Sequence, residues 1–344
     1  MKLYRLDGET ISVGCSTCPL FQDCGGYTRR GGGWSCMDRC AACTKSCNLV
    51  CVKKPDFARA LLEVGGFRHD DIPQLPAPKG PLPQYIPVVQ HPIDGCVPLD
   101  WAVIPLVEIM RFDRGAYAPR AATPDELRRA FGLAPTTRLV LLGTGRDRGI
   151  ETYWRHHRVS NAATALAELD LTLAIAPNYS MFLEDPRPQH LHNRKRSLLV
   201  AKSWAEAGIA VSIYPQAVSP LDWSFHESFL REHPEVVHVA LEFQTGLARP
   251  ERATFAFDHL SRIQDRLGRR LHLFAVGASR YREELPKRFD TWTILDSMPF
   301  MKAVKRRVAA SIDRRIGWDR ALGEDVADLF FHNVGRYTEW IRNG

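Results

Sequence analysis

Eight of the nine cysteines in this chain fall between residues 15 and 51, and no hydrophobic core calls for thiols at that density. Cys15, Cys18 and Cys24 form C-x2-C-P-x4-C-G-G, and Cys36, Cys40, Cys43, Cys47 and Cys51 follow at intervals of three or four. Eight thiolates supply two four-ligand sites, either two [4Fe–4S] clusters or two tetrahedral Zn2+ ions. Disulfide pairing suits small secreted chains. This chain has 344 residues and opens Met1-Lys2-Leu3-Tyr4-Arg5 without an apolar signal run, which points to a reducing, cytoplasmic setting. Zinc sites favour paired C-x2-C knuckles, and only Cys15/Cys18 and Cys40/Cys43 have that spacing. The close run therefore favours clusters, with zinc as the alternative; spacing does not divide the eight ligands between two centres.

The same run invites a second reading. C-x2-C-P-x4-C-G-G resembles ferredoxin-like and auxiliary-cluster motifs, and Cys36-x3-Cys40-x2-Cys43 has the spacing of the radical S-adenosylmethionine cluster. In that family an aromatic residue precedes the last cysteine and the motif follows the first barrel strand. Here Ala42 takes that place, and the first strand pattern comes near residue 85. An iron–sulfur enzyme acting on a small molecule is thus the alternative to the reading developed below.

Beyond the cysteines about 250 residues remain, the usual size of a (β/α)8 barrel. The most apolar stretch, Trp101 to Met110, is interrupted by Pro105 and Glu108, so no membrane association is expected. The chain carries 46 Lys plus Arg against 39 Asp plus Glu, a net charge of +7. The excess is uneven. Arg194, Lys195 and Arg196 are consecutive, and Lys302, Lys305, Arg306 and Arg307 form a second cluster. Such runs are either solvated helix faces or contacts for a polyanion such as nucleic acid.

Three units are expected: a cysteine-rich module over residues 1–70, a linker over 71–84 stiffened by Pro73, Pro76, Pro78, Pro81 and Pro83, and an α/β body over 85–344. In the body, apolar runs predict strands at Tyr85–Gln90, Trp101–Ile109, Arg138–Gly143, Leu171–Ala176, Ala210–Tyr214, Val236–Phe243, Leu271–Val276 and Thr291–Leu295. Amphipathic segments lie between the later ones. Thr123-Pro124-Asp125-Glu126 reads as a capping box, Asn193 to Ala207 as a helix stopping at Gly208, Phe255 to Arg266 as another near Gly268, and Glu324 to Ile341 as a last helix. Near-continuous apolar strands alternating with helices argue for a parallel sheet covered by helices. The predicted fold is a TIM-like (β/α)8 barrel, irregular at its first two strands, where Pro87 and Pro105 oppose a central position.

In such barrels the chemistry sits where the strands end. Those positions give Asn178 and Ser180, Pro215-Gln216, Glu242, Gln244 and Gly246, Gly277 with Ser279 and Arg280, and Asp296. The set suits a flat, hydrogen-bonding ligand. Asp296, just past a buried strand, is a candidate nucleophile or base, or else the cap of a helix starting near Pro299. Glu242 and Gln244 share a face if their strand stays regular. Gly277 would admit a close approach of ligand or loop, and Ser279 with Arg280 would hold an anion. His156-His157 and His190-x-His192 have no accompanying carboxylates at metal-binding spacing.

Two segments bring a known family into view. Leu271 to Ser279, with Gly277-Ala278-Ser279 at its end, and Phe289 to Ser297, ending Asp296-Ser297, resemble tRNA-guanine transglycosylases and their DNA deazaguanine relatives. Glu242-Phe243-Gln244-Thr245-Gly246 is similar to the strand end with which that family recognises the base. The resemblance implies a pentosyltransferase: Asp296 as nucleophile on the ribosyl carbon, with Asn178, Ser180, Glu242, Gln244, Gly246, Gly277 and Ser279 lining the base site. It also implies guanine or deazaguanine exchange in tRNA or DNA, and relatives of this type occur in nucleic-acid modification and antiviral cassettes. Arg194, Lys195, Arg196, Lys302, Lys305, Arg306 and Arg307 would then hold the phosphate backbone, and the cysteine module would position nucleic acid or a partner protein. Asn178 departs from the family's Asp, its early Asp-Ser-Gly motif is missing, and no cysteine follows Cys96 to make its C-terminal zinc site. A barrel that only binds nucleic acid or a partner is the third reading.

Overall fold

The computed structural model describes residues 63–78, 80–113, 115–182, 187–312 and 315–343. The eight clustered cysteines lie outside them, and with them the metal-site expectation.

The parallel strands form two four-stranded sheets. One has the order β2 (Trp101–Pro105), β5 (Arg138–Leu142), β6 (Leu171–Ile175) and β7 (Val211–Ser212); the other runs β8 (His238–Glu242), β9 (His272–Val276), β10 (Trp292–Asp296) and β1 (Tyr85–Pro87). Single parallel bridges link the sheets at both ends, Val88 to Val103 and Ile213 to Val239. Backbone bonds accompany them, from Val89 N to Val103 O and from Ala240 N to Ile213 O, both 2.9 Å. One core cluster, with Ile86, Val103, Val140, Leu173, Ala240, Phe274 and Leu295 among its members, draws on strands of both sheets, and Tyr214 joins it just past β7. A larger cluster fills the space between the strands and the helices.

Every predicted strand is present, most of them shorter than expected. The second stops at Pro105, because Leu106–Ile109 turns into the short helix α1. Pro87 and Pro105 are each the last residue of their strand, where a missing N–H costs the ladder little. Two antiparallel hairpins escape the pattern: β3 (Met110–Asp113) with β4 (Ala116–Pro119), and β11 (Arg307–Ile312) with β12 (Ile316–Arg320).

Helices α2 (Pro124–Ala130), α3 (Asp147–His156), α4 (Ala162–Ala167), α5 (Arg187–Glu206), α6 (Pro220–Glu232), α7 (Pro250–Leu267), α8 (Met298–Val304) and α9 (Val326–Arg342) complete the order. Thr123 caps α2, accepting from Glu126 N at 3.3 Å, with Pro124 at the first helical position. In α7 the buried positions Ala253, Ala256, Phe257, Leu260, Ile263 and Gln264 repeat at helical spacing, and Gly268 ends the helix in the left-handed conformation at φ 63°.

The proline-rich stretch is extended and lies against the body. Val64, Phe67, Ile72 and Leu75 are buried, Val211 N donates to Pro76 O at 2.8 Å, and Leu75 N donates to Glu235 at 3.1 Å. Glu63 accepts from Trp154 Nε1 at 2.6 Å. No helix among the described residues is long and apolar enough to cross a membrane.

Candidate functional site

A cavity of ≈ 410 Å³ opens where β6, β7 and β8 end, walled by the loops that follow and by α6 and α7. Its polar lining is Asn178, Ser180, Gln216, Glu242, Thr245 and Arg252; its apolar walls include Tyr214, Trp223 and Phe255.

Each polar group is held in place. After β6 the chain turns so that Asn178 N bonds Gly143 O at 3.2 Å. Ser180 donates to Asp147 at 2.7 Å, and its carbonyl accepts from Asn193 Nδ2 at 2.7 Å. Gln216 Nε2 donates to Asn178 Oδ1 at 2.8 Å and to Tyr179 O at 2.6 Å. A backbone carbonyl only accepts, so the amide nitrogen must occupy that end. This fixes Gln216 Oε1 at the other end of the amide, where it is buried with no hydrogen-bond partner among the described residues. Trp223 Nε1 is likewise buried without a partner. The Trp223 ring is stacked on His259 with centroids 5.2 Å apart and planes 1° from parallel. Burial lowers the His259 pKa to about 4, so the stacked imidazole is neutral near pH 7. Burial lowers His226 to about 4 as well, and its Nε2 lies 2.9 Å from Gln216 O, where a neutral ring must donate.

Glu242, the last residue of β8, is the cavity's carboxylate. It is buried, accepts from Gln244 N and accepts from the Thr245 hydroxyl at 2.7 Å. Burial, reinforced by the Glu242 charge, raises the Tyr214 pKa well above its ordinary value, so that phenol stays protonated.

Asn178, Ser180, Glu242 and Gly246 thus converge, as the strand ends implied. Gln244 does not line the cavity. The chain turns after Glu242, alternation ends there, and the exposed Gln244 side chain covers Gly277 instead. Gly277 has φ +67°, and a Cβ there would stand 2.2 Å from Gln244 Cγ. The close approach expected at Gly277 is made by a neighbouring side chain.

Asp296 also lies apart from the cavity. Leu295 joins the cluster shared by both sheets, while Ile294 faces the helices; Asp296 has the parity of Ile294. One carboxylate oxygen accepts from the Tyr337 hydroxyl of α9 at 2.9 Å and the other from Met298 N at 2.9 Å. Burial, then the Asp296 charge, raises the Tyr337 pKa well above its usual value. Asp296 and Tyr337 therefore knit β10 to α9, and the helix-capping reading of Asp296 is the one this geometry matches.

Arg194, Lys195 and Arg196 form no surface for phosphate. All three are buried in α5. Arg194 pairs with Asp222 at 3.0 Å, Arg196 with Glu151 at 2.6 Å, and Lys195 with Asp71 and with Arg68 O. Lys302, Lys305 and Arg307 do reach the surface at the end of α8 and the start of β11. Arg306 turns aside, at φ 50°, to bond Glu324 O. His157 bonds Trp154 O at 2.7 Å, His190 bonds Phe182 O at 2.6 Å and His192 meets Glu63 at 3.2 Å. No group of three or more metal-ligating side chains occurs among the described residues.

Trp223, Arg252, Phe255 and Tyr214 were missed by sequence reasoning. Three of them sit on helices, where an inward aromatic reads as core, and the available signal was only that α6 and α7 follow strand ends. No family model matches the chain, and no curated protein matches it either.

Proposed function

We propose that the two parallel sheets are halves of one (β/α)8-type barrel, and that the cavity at the carboxyl ends of β6 to β8 binds a planar, hydrogen-bonding ring of the nucleobase class. The barrel reading is supported by the bridges at both seams and by a core cluster drawn from both sheets. The cavity's place at the strand ends agrees with where barrels carry their ligands. The observation that carries the ligand reading is the lining itself: the Gln216 amide, held by the Asn178 side chain and the Tyr179 carbonyl, and Glu242 border a space walled by Trp223, Tyr214 and Phe255. A heterocycle with donors and acceptors on its rim would meet the Asn178, Ser180, Gln216 and Glu242 side chains of that lining while its faces meet the aromatic walls.

Base exchange in nucleic acid is the activity sought first at this cavity, and Glu242 is its nearest carboxylate, with Asp296 kept for the fold. Calorimetric titration of the full chain with guanine, 7-deazaguanine, adenine and uracil tests the ligand reading. One or more should bind, and Gln216→Leu should weaken that binding by at least about tenfold, the worth of one buried hydrogen bond. Absence of binding by all four at millimolar concentration overturns it.

For the cysteine segment, the eight thiols support a proposal of two [4Fe–4S] clusters, or two Zn2+ in their place. Iron, sulfide and zinc analysis of anaerobically purified protein, with its visible absorption, decides between them.

A further inference from the structure

The β11–β12 hairpin carries charge in an arrangement that internal stability does not explain. Its register sets Arg307 directly opposite Arg320 and Ala309 opposite Trp318. Side chains alternate along a strand, so Arg307, Arg320 and Trp318 share one face. Lys302, arriving from α8, places its ammonium 5.2 Å from the Trp318 ring centroid. Burial, then the Arg307 and Lys305 charges, lowers the Lys302 pKa. Lys305, Arg315 and Arg320 are exposed, and Arg307 and Trp318 are half-buried. None of Lys302, Lys305, Arg307, Arg315 and Arg320 has an ion-pair partner among the described residues, although most other clustered cations of the body do. Asp319, next to Arg320 in the chain, stands opposite Val308 and therefore on the other face.

Like charges placed directly across a ladder destabilise it. The hairpin is nonetheless held firmly. Asn333 of α9 accepts from Ala309 N at 2.8 Å and donates to Arg307 O at 3.0 Å and Pro299 O at 3.3 Å. A ribbon that keeps cations without ion-pair partners among the described residues around a half-buried indole has the make-up of a single-stranded nucleic-acid platform, with cations for phosphates and an aromatic face for a base.

We propose that this face binds the phosphodiester backbone of single-stranded nucleic acid. The proposal is independent of the cavity and of what the cavity holds. Fluorescence anisotropy of the full chain with a labelled single-stranded oligonucleotide, across a salt series, tests it. Affinity should fall steeply as salt rises. The triple variant Lys302→Glu/Arg307→Glu/Arg320→Glu should bind at least about tenfold more weakly at low salt, with a log–log salt slope smaller by about 2, the counterions no longer released. If that variant melts early, Lys305→Glu/Arg315→Glu, at two exposed positions, replaces it with the same expectation in smaller degree. Arg320→Thr should in addition raise the melting temperature slightly, since it removes the facing charge. Unchanged affinity and slope in a folded variant, no binding at low salt by the parent chain, or tighter binding of duplex than of single strand would each overturn the proposal.

Discussion

At Gly277 a missing side chain is the structural requirement. With φ at +67° and Gln244 Cγ 2.2 Å from where a Cβ would be, Gly277→Ala meets two penalties, one conformational and one steric. The steric part belongs to a flexible, exposed side chain. Gly277→Ala should therefore destabilise by about 1–3 kcal/mol, and adding Gln244→Ala should restore part of that loss in urea melts, leaving the conformational part. Gly143 is the contrasting case: a Cβ there would stand 2.6 Å from Ile175 O and from Pro177 backbone atoms, which have nowhere to go. No second-site side-chain change should rescue Gly143→Ala. Asp296 makes the third residue-scale prediction. Asp296→Ala leaves Tyr337 OH and Met298 N without their acceptor, so it should lower stability by about 1–3 kcal/mol while leaving any base titration of the cavity unchanged. Lost binding in a folded variant would return Asp296 to the site.

Among the elements, α5 departs furthest from the simple amphipathic pattern. It presents Arg194, Lys195 and Arg196 in succession, and each finds its acid on a different segment: Asp222 on α6, Asp71 on the extended stretch, Glu151 on α3. A buried charge that loses its partner costs far more than the pair contributes. Asp222→Ala should thus cost about 3–5 kcal/mol, whereas surface pairs such as Arg231 with Glu227 should contribute under about 1 kcal/mol. The β8–β9 pair adds a pH dependence. Burial lowers His238 to about 4 and His272 to about 3, against an ordinary value of 6.5, and His226 on α6 lies near 4. These folded-state values lie below the unfolded one, so between them the unfolded chain binds more protons. Stability should be complete above pH 6.5 and fall as pH drops toward 4. A melting temperature that stays flat over that interval would contradict this assignment.

For the whole molecule, residues 63–78 act as part of the body. Val64, Phe67, Ile72 and Leu75 enter the main core, and His69, Asp71 and Leu75 bond Glu232, Lys195 and Glu235. The full chain should lose several kcal/mol when Phe67 and Leu75 are both changed to Ala, because burying even one large apolar side chain is worth about 1.5–3 kcal/mol. Equal melting of that variant and the parent would show that this contact adds nothing to the fold.

The sequence by itself determined the succession of strands and helices in the body, because apolar runs, prolines at helix starts and glycines at helix ends act within a few residues. Thr123, Gly208 and Gly268 end or begin their helices where the pattern places them. It also located the strand ends at which Asn178, Ser180 and Glu242 gather. The facing of those ends was decided only by tertiary structure. Which side of β10 Asp296 takes depends on the packing of α9, whose Tyr337 lies 41 residues later in the chain, and whether three consecutive cations meet water or carboxylates depends on segments that only the fold brings to α5. A local pattern sets periodicity; parity, burial and charge pairing come from contacts between distant elements, which is why Gln216 and Trp223 became visible as walls of one cavity only once the strands had assembled.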